Sequence, residues 1–250
     1  VKSNLPYQQF VILGTARTGS TMLWSYLNSH PDILCLRGIY GSTNKINFGK
    51  FYGELPEEYH SPELIKLRNE RPIEFLENYV WKEYSKPFKA VGFKYFYDHD
   101  RHLAKKNEVI NYFTENKAIK FLHIKRDNLL ATLFSYKRAL AQQLWTKTNT
   151  DFRTSISVQE CNDYFQQILD CQKLFDELFT DRTLQVIYDN LLSATEQTLQ
   201  EVLDFIGVNA ISLTTETSKN IETKLSDCIT NYTELKTHFK STDYAKYFNE

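Results

Sequence analysis

The chain has 250 residues, enough for one α/β domain with a sizeable core and a squeeze for two. Its 30 basic and 31 acidic side chains leave a formal net charge of −1, which excludes the broad positive surface of a nucleic-acid or anionic-membrane binder, so any anion site must be local. No run approaches the ~18 apolar residues of a membrane span, and the four cysteines (Cys35, Cys161, Cys171, Cys228) show neither a C-x-x-C pair nor metal-like spacing with histidine, so a reduced, cytoplasmic protein without a metal centre is the simpler reading and two disulfide pairs the alternative.

In chain order, Phe10-Val11-Ile12-Leu13 reads as a short buried strand, followed by a loop bounded by Gly14 and Gly19 and a helix from Ser20 onward. Proline after Ser29-His30 marks the stop of that helix. Residues 33–62 show no clean periodicity and mix glycines with aromatics, the composition of a lid or substrate wall. An amphipathic helix is expected over 72–84, a strand over 89–95, a helix over 101–116 and a strand over 119–124. Helices follow over 128–145 and 158–179, then a strand over 183–188 and a helix over 195–206 that Gly207 ends. Residues 225–248 are polar and aromatic, and 209–250 reads as a C-terminal extension. Apolar strands separated by helices predict an α/β fold, a single three-layer domain with a central parallel sheet flanked by helices on both faces. Ligands gather beyond the carboxyl ends of such strands, where the glycine loop, Lys94 and Arg126 all fall.

Strand, glycine loop and helix in succession aim backbone N–H groups and a helix N-terminus at one point, a natural seat for phosphate or sulfate. Gly14-x-x-x-x-Gly19-Ser20-Thr21 nearly matches the phosphate loop of nucleotide triphosphatases, but Ser20 stands where those proteins have lysine. Without that lysine an ATPase, GTPase or kinase reading loses its contact to the β- and γ-phosphates. Arg17 is the only cation in the loop. A second segment, residues 119–139, puts Arg126 at a strand end and Ser135 about two turns into the next helix, a guanidinium fork with a hydroxyl beside it.

Together these segments resemble the sulfotransferase family that uses 3′-phosphoadenosine 5′-phosphosulfate, in particular its bacterial nodulation-type and tyrosylprotein-type relatives, over about residues 9–248. The resemblance implies a P-loop-type fold in which Ala16, Arg17, Thr18, Gly19, Ser20 and Thr21 hold the 5′-phosphosulfate of this co-substrate, and Arg126 with Ser135 holds the 3′-phosphate. Tyr188, in Tyr188-Asp189-Asn190-Leu191, is placed near the nucleotide by the same likeness, and Lys94, in Gly92-Phe93-Lys94, beside the sulfonate. The implied reaction is metal-free, in-line transfer to a hydroxyl or amine of a small molecule, lipid, glycan or peptide. A non-catalytic binding module on the same fold is the alternative.

Two features depart from the family pattern. Many relatives carry serine eight residues after the arginine, where this chain has Phe134, so Thr132 is a reserve hydroxyl beside Ser135. Relatives also carry a glutamate base shortly after the first helix, whereas Leu36-Arg37-Gly38-Ile39-Tyr40 contains no carboxylate. The candidates left for the base are Glu54, with Glu57 and Glu58 near it, His30 and His99.

Overall fold

The computed structural model describes residues 5–41, 44–49, 61–105, 107–145, 151–217 and 224–249. Its centre is β1, Gln8–Gly14, whose run from Gln9 is buried because helices cover both faces of the strand. The glycine loop leads into α1, Ser20–Asn28, and the chain returns as β2, Ile33–Leu36. Then come α2, Pro62–Glu70, capped by the Ser61 side chain, and α3, Pro72–Phe75, which widens into a π-helical turn over Leu76–Val80. β3, Ala90–Phe96, and α4, Glu108–Glu115, precede β4, Lys120–Lys125. Two longer helices follow: α5, Leu129–Gln142, with Asn128 as its cap, and α6, Val158–Leu178, opened by a capping box of Ser157 and Glu160. β5, Thr183–Ile187, α7, Tyr188–Ser193, and α8, Thr195–Ile206, complete the layers. The C-terminal part forms α9, Leu225–Cys228, α10, Tyr232–Phe239, and a 3₁₀ turn over Asp243–Phe248.

All pairings between these strands are parallel, in the order β2-β3-β1-β4-β5. Alternation divides β1 between two cores. Val11 and Leu13 pack with Phe93, Phe113, Phe121 and Phe179, whereas Phe10 and Ile12 pack with Leu23, Leu27, Leu122, Val202 and Ile206. A third core joins α5 and α6 to the C-terminal segment through Phe134, Phe165, Phe239 and Phe248. None of the described helices is long and apolar enough to cross a membrane.

The expected loop over 33–62 is corrected at both ends. Ile33–Leu36 is a strand buried on both sides, so it lacks the alternation that reveals a half-exposed one, and α2 begins at Pro62. Ile39, Tyr40, Ile46 and Phe48 from the same stretch are core residues. The helix expected over 101–116 starts only at Glu108, after Asn107 with a φ of 63°, and α5 stops short of Trp145 because Gln143 turns left-handed, with a φ of 52°. Residues 225–248, without a periodic signal, are ordered by tertiary packing on α5 and α6.

Candidate functional site

In the order β2-β3-β1-β4-β5 the connection from β1 runs to β2 on one side while that from β3 crosses β1 to β4 on the other, and the glycine loop stands at the carboxyl end of β1. Gly14 lets β1 and β4 approach, since a Cβ there would lie 2.7 Å from the Ile124 carbonyl oxygen. Gly19 caps α1 at a φ of 85°, and a Cβ on it would lie 2.2 Å from Cδ2 of Tyr188, so this ring rests directly on the loop. Arg17 is also left-handed, at a φ of 69°, an unfavourable conformation for a side-chain-bearing residue and one that clusters at functional sites. Thr18 steadies the turn by donating from its Oγ1 to the Thr15 carbonyl at 2.8 Å.

From this position Arg17 reaches across to α5. Its Nε donates to Ser135 Oγ at 2.9 Å, and its Nη1 donates to the carbonyl of Trp145. Arg126, just past β4, sets its guanidinium carbon 5.1 Å from the centre of the Tyr188 ring. The two sequence segments, one in each half of the site, therefore meet. Thr132, the reserve hydroxyl, is fully buried and donates to the Asn128 carbonyl at 3.1 Å, so it is spent inside its own helix.

Arg138 joins this group and was missed in the sequence. It lies one turn beyond Ser135 on α5, is only 6% exposed, and its buried Nε has no hydrogen-bond partner. Burial first, and then Arg138 and Arg126, lower the Arg17 pKa, which shows how closely like charges are held. The available signal was the i, i+3 spacing from Ser135.

On the other side of β1, Lys94 is 7% exposed and donates from Nζ to Thr21 Oγ1 at 3.2 Å, which ties β3 to the first turn of α1. Burial, reinforced by Arg37 and Arg17, brings its pKa down to about 8. Arg37, directly after β2, stacks 4.3 Å over the Trp24 ring, and its buried Nε has no partner. Cations crowd around the loop in the manner of a site completed by an anion.

The base candidates fare differently. His30 is corrected: α1 runs about 13 Å back from the loop, so His30, just before β2 begins, lies at the amino ends of the strands, opposite the loop. Both its nitrogens are engaged there, Nδ1 accepting from Asp32 N and Nε2 facing the Asn209 carbonyl, each at 3.0 Å. Glu54, Glu57 and Glu58 lie outside the described residues. His99 is 7% exposed on the loop after β3, with its buried Nδ1 unpartnered. His123, on β4, is bound on both sides, by Tyr97 Oη at 2.6 Å and Asp176 Oδ1 at 2.8 Å, with Lys125 Nζ 2.6 Å from the other oxygen of Asp176. Among the described residues no three His, Cys, Asp or Glu side chains gather as a metal site.

Comparison with known proteins identifies the family. The model of the Sulfotransferase family matches residues 9–212. Nodulation protein H of Rhizobium tropici is 28% identical, over 96% of this chain and 93% of that protein, and Nodulation protein H of Rhizobium meliloti is 24% identical over 98% and 97%. The crystal structure of a sulfotransferase from Alicyclobacillus acidocaldarius superposes with a TM-score of 0.51 at 17% identity, covering 92% of this chain and 90% of that one, a likeness of fold.

Proposed function

The chain belongs to the sulfotransferase family, and from that premise we propose that it moves the sulfuryl group of 3′-phosphoadenosine 5′-phosphosulfate to a hydroxyl or amine acceptor by in-line, metal-free transfer. The observation that carries the reading is the Arg17 to Ser135 hydrogen bond, which joins the glycine loop to the helix after β4. A donor with a 5′-phosphosulfate and a separate 3′-phosphate needs two neighbouring anion sites. A nucleoside triphosphate needs a phosphate-loop lysine that this chain lacks.

In this mechanism the N–H groups of Ala16 to Thr21 hold the 5′-phosphate, helped by the N-terminus of α1. Arg126, Ser135 and Arg138 take the 3′-phosphate, and Tyr188 packs at the loop side of the nucleotide. Arg17 neutralises charge that grows on the bridging oxygen as the S–O bond to the 5′-phosphate breaks. Lys94, already desolvated, serves the sulfuryl oxygens, and anion binding restores the charged form that burial disfavours. The acceptor approaches opposite the leaving group. A small molecule, lipid, glycan or peptide fits that requirement.

Calorimetry is the direct test. Adenosine 3′,5′-bisphosphate binds and ATP does not compete, and a sulfur-radiolabelled donor passes its label to an acceptor. Heat from ATP alone would overturn the reading in favour of a kinase-like enzyme. Binding of the bisphosphate without transfer to any acceptor, water included, would leave a binding module.

A further inference from the structure

Residues 37–40, directly after β2, offer no carboxylate to receive the acceptor's proton, and they contain Gly38. The space beyond that glycine is occupied. A Cβ on Gly38 would lie 2.9 Å from Cε1 of His99, and one on Gly41 would lie 3.0 Å from its Nε2. The turn is closed by Gly41 N–H donating to the Gly38 carbonyl at 3.0 Å, so both glycines are held against the ring.

The ring shares a neighbour with the site's lysine: Phe96 lies 4.8 Å from the His99 ring centre and 5.5 Å from Lys94 Nζ. Lys94 N–H in turn donates to the Arg37 carbonyl at 3.2 Å, so the glycine turn, Lys94 and His99 form one unit. That unit lies on the β3 side of β1, while Arg126, Ser135 and Arg138 lie on the β4 side. His99 thus flanks the sulfuryl position away from the nucleotide. No hydrogen bond to its enclosed Nδ1 pins the ring's tautomer, whereas His30 and His123 have both ring nitrogens engaged.

We propose that His99 is the group that accepts the acceptor's hydroxyl proton, its imidazole filling the volume that a carboxylate side chain at position 38 would use. The inference rests on the sulfuryl-transfer reading above. As the acceptor oxygen bonds to sulfur, its O–H proton passes to a ring nitrogen. The S–O bond to the 5′-phosphate breaks, and adenosine 3′,5′-bisphosphate leaves with the electron pair. The imidazolium then returns the proton to solvent.

Burial, with Lys94, His102 and Arg68 adding to it, holds the His99 pKa down to about 3, which keeps the ring neutral with a lone pair available. A weak base suits a late proton transfer, because an attacking hydroxyl becomes strongly acidic only once its oxygen has largely bonded to sulfur. The anionic donor also offsets the repulsion from Lys94.

The test uses the full chain with labelled donor and phenol, 4-nitrophenol or water alone as acceptor. His99→Ala and His99→Gln lower kcat with phenol by ~100-fold or more while changing adenosine bisphosphate affinity by less than ~3-fold. The loss is smaller with 4-nitrophenol, which ionises unaided. Adding Gly38→Glu to His99→Ala places a carboxylate in the vacated volume and recovers ~10-fold or more of the rate. Activity of His99→Ala within ~3-fold of wild type, equal losses with both phenols, or loss of nucleotide affinity alongside rate would overturn the assignment. A wild-type chain that transfers to none of the acceptors would instead strike the proposed function, and this inference with it.

Discussion

The two sides of β1 are built differently. On the β4 side, Arg126 follows a strand directly and Ser135 and Arg138 sit on the next helix, so three members of the candidate site come from thirteen consecutive residues. On the β3 side, Lys94, Arg37 and His99 come from the interior of one strand, the end of another and a later loop. A local strand-to-helix unit fixes its side chains by helical spacing alone. An assembled pocket depends on two separate segments, the end of β2 and β3 with its following loop, arriving together, and their partnership leaves no spacing to read. The side proposed to bind the donor is therefore the legible one, and the other side shows itself only in the folded chain.

The most damaging change to this comparison is at the hinge between the halves. Arg17→Ala removes the loop cation and its bond to Ser135; kcat is expected to fall by ~100- to 1,000-fold with thermal stability nearly unchanged. Near-normal turnover would show that the two sides do not depend on the loop. Gly19→Ala should be next, because the added methyl would meet Tyr188 at 2.2 Å on a backbone with a φ of 85°. A loss of ~2–4 kcal/mol in urea unfolding is expected. Gly207→Ala is the control: its φ is 74° but nothing lies within 4 Å, so the loss should be only ~1–2 kcal/mol.

Within the β4 side, Arg138→Ala is expected to weaken adenosine 3′,5′-bisphosphate binding by ~10- to 100-fold, measured by calorimetry, while adenosine 5′-monophosphate binding barely changes. Equal losses for both nucleotides would move Arg138 away from the 3′-phosphate. The mildest effect belongs to Lys94. Its folded pKa of about 8 lies below the unfolded value, so between roughly pH 8 and 10 the unfolded chain binds more protons and stability rises with pH through that window. Donor affinity should change in the opposite sense, falling above about pH 8 as Lys94 loses its charge. Lys94→Met removes both trends, which unfolding and binding curves at several pH values would detect.

Most of the fold was legible because buried parallel strands read as apolar runs and because glycines, prolines and caps punctuate them. Ile33–Leu36 escaped because a four-residue strand buried on both faces has no alternation, and glycine-rich sequence beside it imitates a loop. The C-terminal segment escaped for another reason: Tyr232, Phe239 and Phe248 are held by contacts with α5 and α6 rather than by a local pattern. His30 drew attention through its place after α1. Its helix carries it to the amino ends of the strands, a fact of direction that follows once α1 and β2 are placed.

The residues by themselves determined the glycine loop, the missing phosphate-loop lysine and the Arg126 to Ser135 spacing, because backbone anion cradles and helical offsets are properties of short segments. Only the tertiary structure decided that Arg17 bonds Ser135 rather than Thr132, that Arg138 joins them with an unpartnered Nε, and that His99 fills the space above Gly38. Each of those facts is a contact between segments far apart in the chain, and a contact of that kind is set by how the sheet orders its strands.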